Sequence, residues 1–320
     1  MDLTPTITTT LPGYAAARER LANRIRPSAI LDVTGEDRIT FLQGQLTQDV
    51  HGLAPGECRA AAGLTAKGKL LFVTRVVGLD DRLRLVVPDN LRQLVLDHLR
   101  KYAVFTKVSV EDRSADFVRI GLYGPEGARL ALPDGVTRLP AEGEFSVDLL
   151  VPAGRSAEIE ALLHAVGSAE VSEETAEILR VEAGRPRFGV DMDGSNLPDE
   201  VGMPDAISAS KGCYVGQEVV ARLRTYGRVN RRLVGFRFPD GAVSPGTTLH
   251  RDGEDEESSR TPAGRVTSAV LSPAFGPIGL GYAFRDVPIG ETLAPRVSEG
   301  CLYPRPPADE TAIVTALPFA

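Results

Sequence analysis

Residues 211–218, Lys-Gly-Cys-Tyr-Val-Gly-Gln-Glu, hold the strongest chemical signal in the chain. Cys213 stands two residues after a lysine and four before a helix expected over 217–224. An ammonium and the positive end of a helix both favour a thiolate, the form in which cysteine acts as nucleophile or metal ligand. Lys211 is one of only five lysines among 36 basic residues, so a compact ammonium is kept where arginine is the habit. Downstream, Arg222, Arg224, Arg228, Arg231 and Arg232 put five guanidinium groups into eleven residues, a surface suited to carboxylate or phosphate.

Other patterns carry less. Gly63-Leu64-Thr65-Ala66-Lys67-Gly68-Lys69 satisfies G-x-x-x-x-G-K, yet Leu70 follows where a phosphate loop needs Ser or Thr, and a β-rich run over 70–77 replaces the required helix. A hairpin turn is expected there. Gly121, Gly124 and Gly127 have the wrong spacing for a dinucleotide fingerprint. No C-x-x-C occurs, His51, His98, His164 and His250 are dispersed, and three cysteines cannot supply four thiolates. No resident zinc or iron–sulfur cluster is therefore expected.

The elements that must position these residues follow from composition and periodicity. With 320 residues the chain is long enough for two or three domains. Its 32 Gly and 23 Pro make turns frequent and exclude a helical solenoid. Thirty-six basic against 43 acidic residues, a net charge of −7, argue against general attraction to nucleic-acid backbone, so a nucleic-acid partner is not expected. The N-terminus lacks a basic, then apolar, secretory pattern, and the longest uncharged stretch, 266–284, is broken by two Pro and three Gly. The scattered cysteines fit a reducing, cytoplasmic compartment.

Helices are expected over 14–25, 39–46 with a capping box from Thr34 to Asp37, 88–102, 126–132, 157–166 and 172–183. Strands are expected over 29–33, 60–64, 70–77, 82–87, 108–110, 117–122 and 145–151. This pattern is α+β with antiparallel meanders. A long loop over 184–210 precedes the octapeptide, and from Leu233 onward short strands between turns predict a barrel-like all-β domain. Residues 251–260 are expected as an exposed acidic loop and 303–307 as a stiff proline-rich tail.

At the octapeptide the sequence resembles the folate-binding YgfZ family, relatives of the glycine-cleavage T-protein. Phe41-Leu42-Gln43-Gly44-Gln45-Leu46-Thr47-Gln48-Asp49-Val50, Ala66-Lys67-Gly68-Lys69 and Arg180-Val181-Glu182-Ala183-Gly184-Arg185-Pro186-Arg187-Phe188-Gly189 resemble further motifs, in that family's order. The resemblance implies a three-part T-protein-like ring. Two interleaved α+β domains would occupy 1–230, a C-terminal β-barrel and tail 231–320, and tetrahydrofolate the central channel. It implies Glu182 as the hydrogen-bond partner of the pterin, whose 2-amino and N3–H groups form a planar donor pair. Gln217 falls where T-protein relatives carry an arginine directed at the folate tail, and Arg222 is the available substitute. The resemblance further implies a role in assembly or repair of iron–sulfur clusters in client enzymes, with Cys213 as working thiol, Lys211 beside it, and client or assembly proteins as partners. The alternative is an aminomethyltransferase or another one-carbon folate enzyme. Aminomethyltransferases of this superfamily carry an acidic pair where this chain has Leu71 and Phe72, neither of which can transfer a proton, while Asp80 and Asp81 lie at the turn end of the strand.

Overall fold

The computed structural model describes residues 11–140, 146–241, 243–251, 262–296 and 310–319. In chain order the elements are α1 (Tyr14–Glu19), β1 (Ala22–Ile25), β2 (Ser28–Thr34), α2 (Arg38–Gln45), β3 (Cys58–Leu64), β4 (Leu70–Gly78), β5 (Arg82–Pro88), α3 (Arg92–Ala103), β6 (Ser109–Asp112) and β7 (Phe117–Tyr123). There follow β8 (Thr137–Leu139), β9 (Ser146–Pro152), α4 (Ser156–Ala165), β10 (Ala169–Glu170), α5 (Glu173–Glu182), α6 (Pro198–Val201) and α7 (Gln217–Tyr226). The last six strands are β11 (Arg231–Arg237), β12 (Thr248–His250), β13 (Gly264–Ser272), β14 (Gly276–Phe284), β15 (Thr292–Arg296) and β16 (Ala312–Thr315).

Two compact units interleave along the chain: Met1–Arg26 with Asp116–Leu179, and Pro27–Ala115 with Arg180–Ala320. The first holds a five-stranded sheet in the order β10-β1-β7-β9-β8, with β1 parallel to β10 and the other neighbours antiparallel. Its core joins Ile120, Leu122 and Leu149 from the sheet to Ile159 and Leu163 from α4. Asp148 on β9 is fully buried and is held by Arg26 and Arg119, since a buried carboxylate needs a charged partner.

The second unit has an antiparallel sheet in the order β3-β4-β5-β2-β6 and a closed barrel in the order β11-β14-β13-β12-β15-β16. One face of the sheet follows the alternation of its strands: Ala29, Leu31 and Val33 of β2, Leu83, Leu85 and Val87 of β5, and Phe72 and Val76 of β4 meet Val95 and Leu99 of α3 and Phe41 and Leu42 of α2. Each such fully buried large side chain contributes about 1.5–3 kcal/mol. On the opposite parity Asp32 accepts from Arg84 at 2.7 and 2.9 Å and from Arg82 at 3.1 Å. The barrel closes over Phe236, Phe238, Leu249, Val266 and Leu293. Among the described residues no helix is long and apolar enough to cross a membrane.

Four local expectations differ from the structure. The helix expected over 14–25 stops at Glu19, because residues 22–25 pair with β7 in register Ala22 to Tyr123. The capping box before α2 does not form: Asp37 makes no side-chain cap, and its carboxylate accepts the Lys107 backbone N–H at 2.8 Å. The helix expected over 126–132 is a single 3₁₀ turn at Gly127–Arg129. Within the long loop 184–210, α6 and a 3₁₀ turn at Pro204–Ala206 add structure. The acidic loop beyond Arg251 and the proline-rich tail lie outside the described residues.

Candidate functional site

Three of the four sequence motifs meet around the loop that precedes α7. Lys211 is 8% exposed, and its ammonium donates to the backbone carbonyls of Gln43 at 2.8 Å, Leu46 at 2.6 Å and Gln48 at 2.9 Å. Those carbonyls lie at and just beyond the C-terminus of α2, where helix geometry leaves acceptors without partners. The ammonium also sits 5.1 Å from the ring centre of Tyr214, a cation–π contact. Burial pulls its pKa down to about 8, opposed by the nearby Asp49 carboxylate. An ammonium has three donors, and all three are taken by carbonyls. Lys211 thus clamps the loop to the end of α2.

The loop is fixed at its other end as well. Val215 N–H donates to the Gly44 carbonyl at 3.1 Å, and Tyr214 is buried with Leu64, Leu70, Met192 and Val220. Gly216 is the N-cap of α7 at φ 83°, a left-handed conformation that favours glycine. The glycine also makes room, because a Cβ there would stand 2.6 Å from the Thr65 carbonyl oxygen. Between these anchors Gly212 and Cys213 are exposed.

The segment 63–69 is a hairpin turn. Thr65 N–H donates to Lys69 C=O at 2.8 Å, Gly68 N–H donates to Thr65 C=O at 2.9 Å, and the Lys69 ammonium donates to Ser195 C=O at 2.7 Å. Strands flank both sides, so the turn does not open a helix of its own as a phosphate loop does.

The arginine cluster divides. Arg224 pairs with Asp199 at 3.0 Å, Arg231 with Glu200 at 3.3 Å, and Arg232 donates to the carbonyls of Arg285 and Val287. Arg222 and Arg228 are exposed and have no ion-pair partner among the described residues; Arg222 borders a groove on α7 with Glu218, Val219 and Leu223. Gln217 is half-buried and turned inward, its side-chain oxygen accepting the Tyr214 N–H at 3.3 Å.

Glu182, the last residue of α5, is 5% exposed and accepts the Ser272 hydroxyl of β13 at 2.6 Å. Two residues earlier, Arg180 donates to Asp191 and to Ser268 Oγ, each at 2.7 Å. Asp191 also accepts from Thr267 at 2.6 Å, Ser268 at 2.7 Å and the Arg187 N–H at 2.9 Å. Its neighbour Met192 packs with Tyr214. Glu182 and Cys213 therefore belong to different local clusters, joined through residues 191–192. Asp191, Ser268 and Ser272 were not visible as site residues in the sequence; the two serines stand four residues apart on one strand, with Arg265 and Thr267 as further polar residues that mask the pair.

The fold defined by these elements is that of the glycine-cleavage aminomethyltransferases. The T-protein of Bartonella henselae superposes with a TM-score of 0.81 over 96% of this chain and 88% of that one, at 22% identity. No protein-family model matches the chain. The tRNA-modifying protein YgfZ of Yersinia pestis is 31% identical over 270 residues, 76% of this chain and 77% of that protein. YgfZ of Colwellia psychrerythraea is 28% identical over 71% of this chain and 75% of its own length, and a putative chloroplastic transferase of Arabidopsis thaliana is 27% identical over 83% and 67%. The chain belongs to the YgfZ family.

Proposed function

We propose that this protein binds tetrahydrofolate and serves the assembly or repair of iron–sulfur clusters in client enzymes, with Cys213 as its working thiol. The observation that carries this reading is the exposure of Cys213 in a loop anchored on both sides, by Lys211 before it and by Val215 and Gly216 after it. A cysteine kept for packing is normally buried, whereas this one is presented on a rigid support. Glu182 suits a pterin, since a buried carboxylate matches a planar pair of N–H donors. Arg222 offers an exposed guanidinium to the carboxylates of a folate tail, with Gln217 five residues earlier on the same helix. Bound tetrahydrofolate supplies an acceptor for one-carbon units.

The Yersinia and Colwellia relatives are named tRNA-modifying proteins, and client enzymes that act on tRNA would connect that name to the thiol. The reading implies a reducing compartment, the cytoplasm. Aminomethyl transfer is the second reading, favoured by the shared T-protein fold. Leu71 and Phe72 at the position of the acidic pair weigh against it.

Calorimetry with tetrahydrofolate tests the binding, and Glu182→Ala is expected to weaken it by roughly 10- to 100-fold. Cys213→Ser is expected to keep that affinity and to leave iron–sulfur client enzymes inactive in cells lacking the native protein. Full restoration by Cys213→Ser removes the thiol role, and an unchanged affinity in Glu182→Ala removes the carboxylate from the site.

A further inference from the structure

We propose that Ser272, a residue outside every motif singled out in the sequence, is a positioning residue for Glu182. A serine oxygen has one hydrogen to give and two lone pairs to receive. At Ser272 the oxygen accepts the backbone N–H of Ala274 at 3.1 Å and of Phe275 at 3.0 Å. Both acceptor sites are occupied, so its hydrogen has one direction left, toward Glu182 Oε1 at 2.6 Å. Ser272 is 2% exposed, so water does not compete for that hydrogen. The bond is short and charge-assisted, the kind that fixes a carboxylate plane as well as holding it.

The brace has a second rung. Ser268 lies four residues earlier on β13, on the same face of the strand, and its oxygen accepts from Arg180 while its hydroxyl donates to Asp191. Pairing of β13 with β14, Ser268 opposite Leu280 and Ser272 opposite Gly276, sets the spacing of the two hydroxyls. Two residues near the end of α5 are thereby held by two residues of one barrel strand. The Phe319 N–H adds a third tie, to the Glu182 carbonyl at 3.0 Å. The direction in which Glu182 presents its carboxylate is set by the barrel, so the barrel contributes to ligand recognition without touching the ligand.

The inference rests on the folate reading for its ligand, and its test separates the two. The full chain and its variants Ser272→Ala, Ser272→Thr, Glu182→Ala and the Ser272→Ala/Glu182→Ala double are titrated with tetrahydrofolate. Ser272→Ala is expected to weaken binding about 5- to 10-fold, the worth of one hydrogen bond. Ser272→Thr, which keeps the hydroxyl, restores it, and the double variant binds no worse than Glu182→Ala alone. Native affinity in Ser272→Ala, or the same fold-loss in the Glu182→Ala background, overturns the assignment. If the native protein binds no tetrahydrofolate, the folate reading fails, and urea denaturation of the same set decides the brace: stability losses that add overturn it, and losses that overlap support it. Should Ser272→Ala fail to fold, Ser272→Cys keeps the size with a weaker donor and takes its place.

Discussion

Gly68 and Gly216, from two separate sequence motifs, lie back to back: a Cβ on Gly216 would stand 3.2 Å from the Gly68 α-carbon, and one on Gly68 would meet the Val219 side chain at 2.8 Å. The β3–β4 turn and the start of α7 approach this closely only because neither carries a side chain at the crossing.

Gly216→Ala is expected to lower stability by about 1–3 kcal/mol, combining left-handed strain with the collision against the Thr65 carbonyl. Gly52 provides the control, since it has φ 67° and nothing within 4 Å of its Cβ position. Gly52→Ala should cost only the conformational part, about 1 kcal/mol. Equal losses in urea melts would show that the approach to the turn is not what requires glycine.

Lys211→Met should cost about 3 kcal/mol, because it strips three carbonyls near the end of α2 of their donor. A second observable separates clamping from general stability. The Val215 amide, bonded to the Gly44 carbonyl, should exchange with solvent faster than amides of β4 and β5 are accelerated. Uniform acceleration across the unit would argue against a local clamp.

Aminomethyl transfer should be absent even with saturating folate. Phe72 is wholly buried in the sheet core, and Leu71 packs against the same cluster, so neither supplies a carboxylate. Formation of methylene-tetrahydrofolate from an aminomethyl donor, lost on changing Asp80 or Asp81, would reverse this assignment.

Acidification should weaken the Pro27–Ala115 sheet through His98. Its ring lies edge-on to Phe72 and bonds Gln45 at 3.1 Å, and burial first, then the Lys101 charge, hold its pKa below the usual 6.5. Below that value the unfolded chain takes up a proton that the native ring resists, so stability falls as pH drops from 6.5 through the native pKa. His98→Gln should flatten this part of the stability profile; an unchanged slope would assign it to other groups.

The strands were legible because runs rich in β-favouring residues lie between turn signals: 70–77 and 82–87 appear within one residue of the observed β4 and β5. The failures are tertiary. Residues 22–25 carry helix-compatible side chains, and only pairing with β7 makes them a strand. The same holds for the site. Cys213 and its loop announce themselves by composition, whereas the direction of the Lys211 ammonium depends on carbonyls some 160 residues away in the chain. Ser272 gains meaning only when its hydroxyl is seen to reach Glu182, 90 residues earlier in the chain.

Those long separations bear on biosynthesis. The carbonyls of Gln43, Leu46 and Gln48 leave the ribosome 163 to 168 residues before the lysine that binds them, with the intervening Asp116–Leu179 segment belonging to another compact unit. Domains fold during synthesis as they complete, and the second unit cannot complete until its C-terminal portion emerges. The support beneath Cys213 therefore cannot form until residues 211–216 have emerged, and an N-terminal fragment ending before Lys211 would leave the α2 carbonyls without the ammonium that binds them.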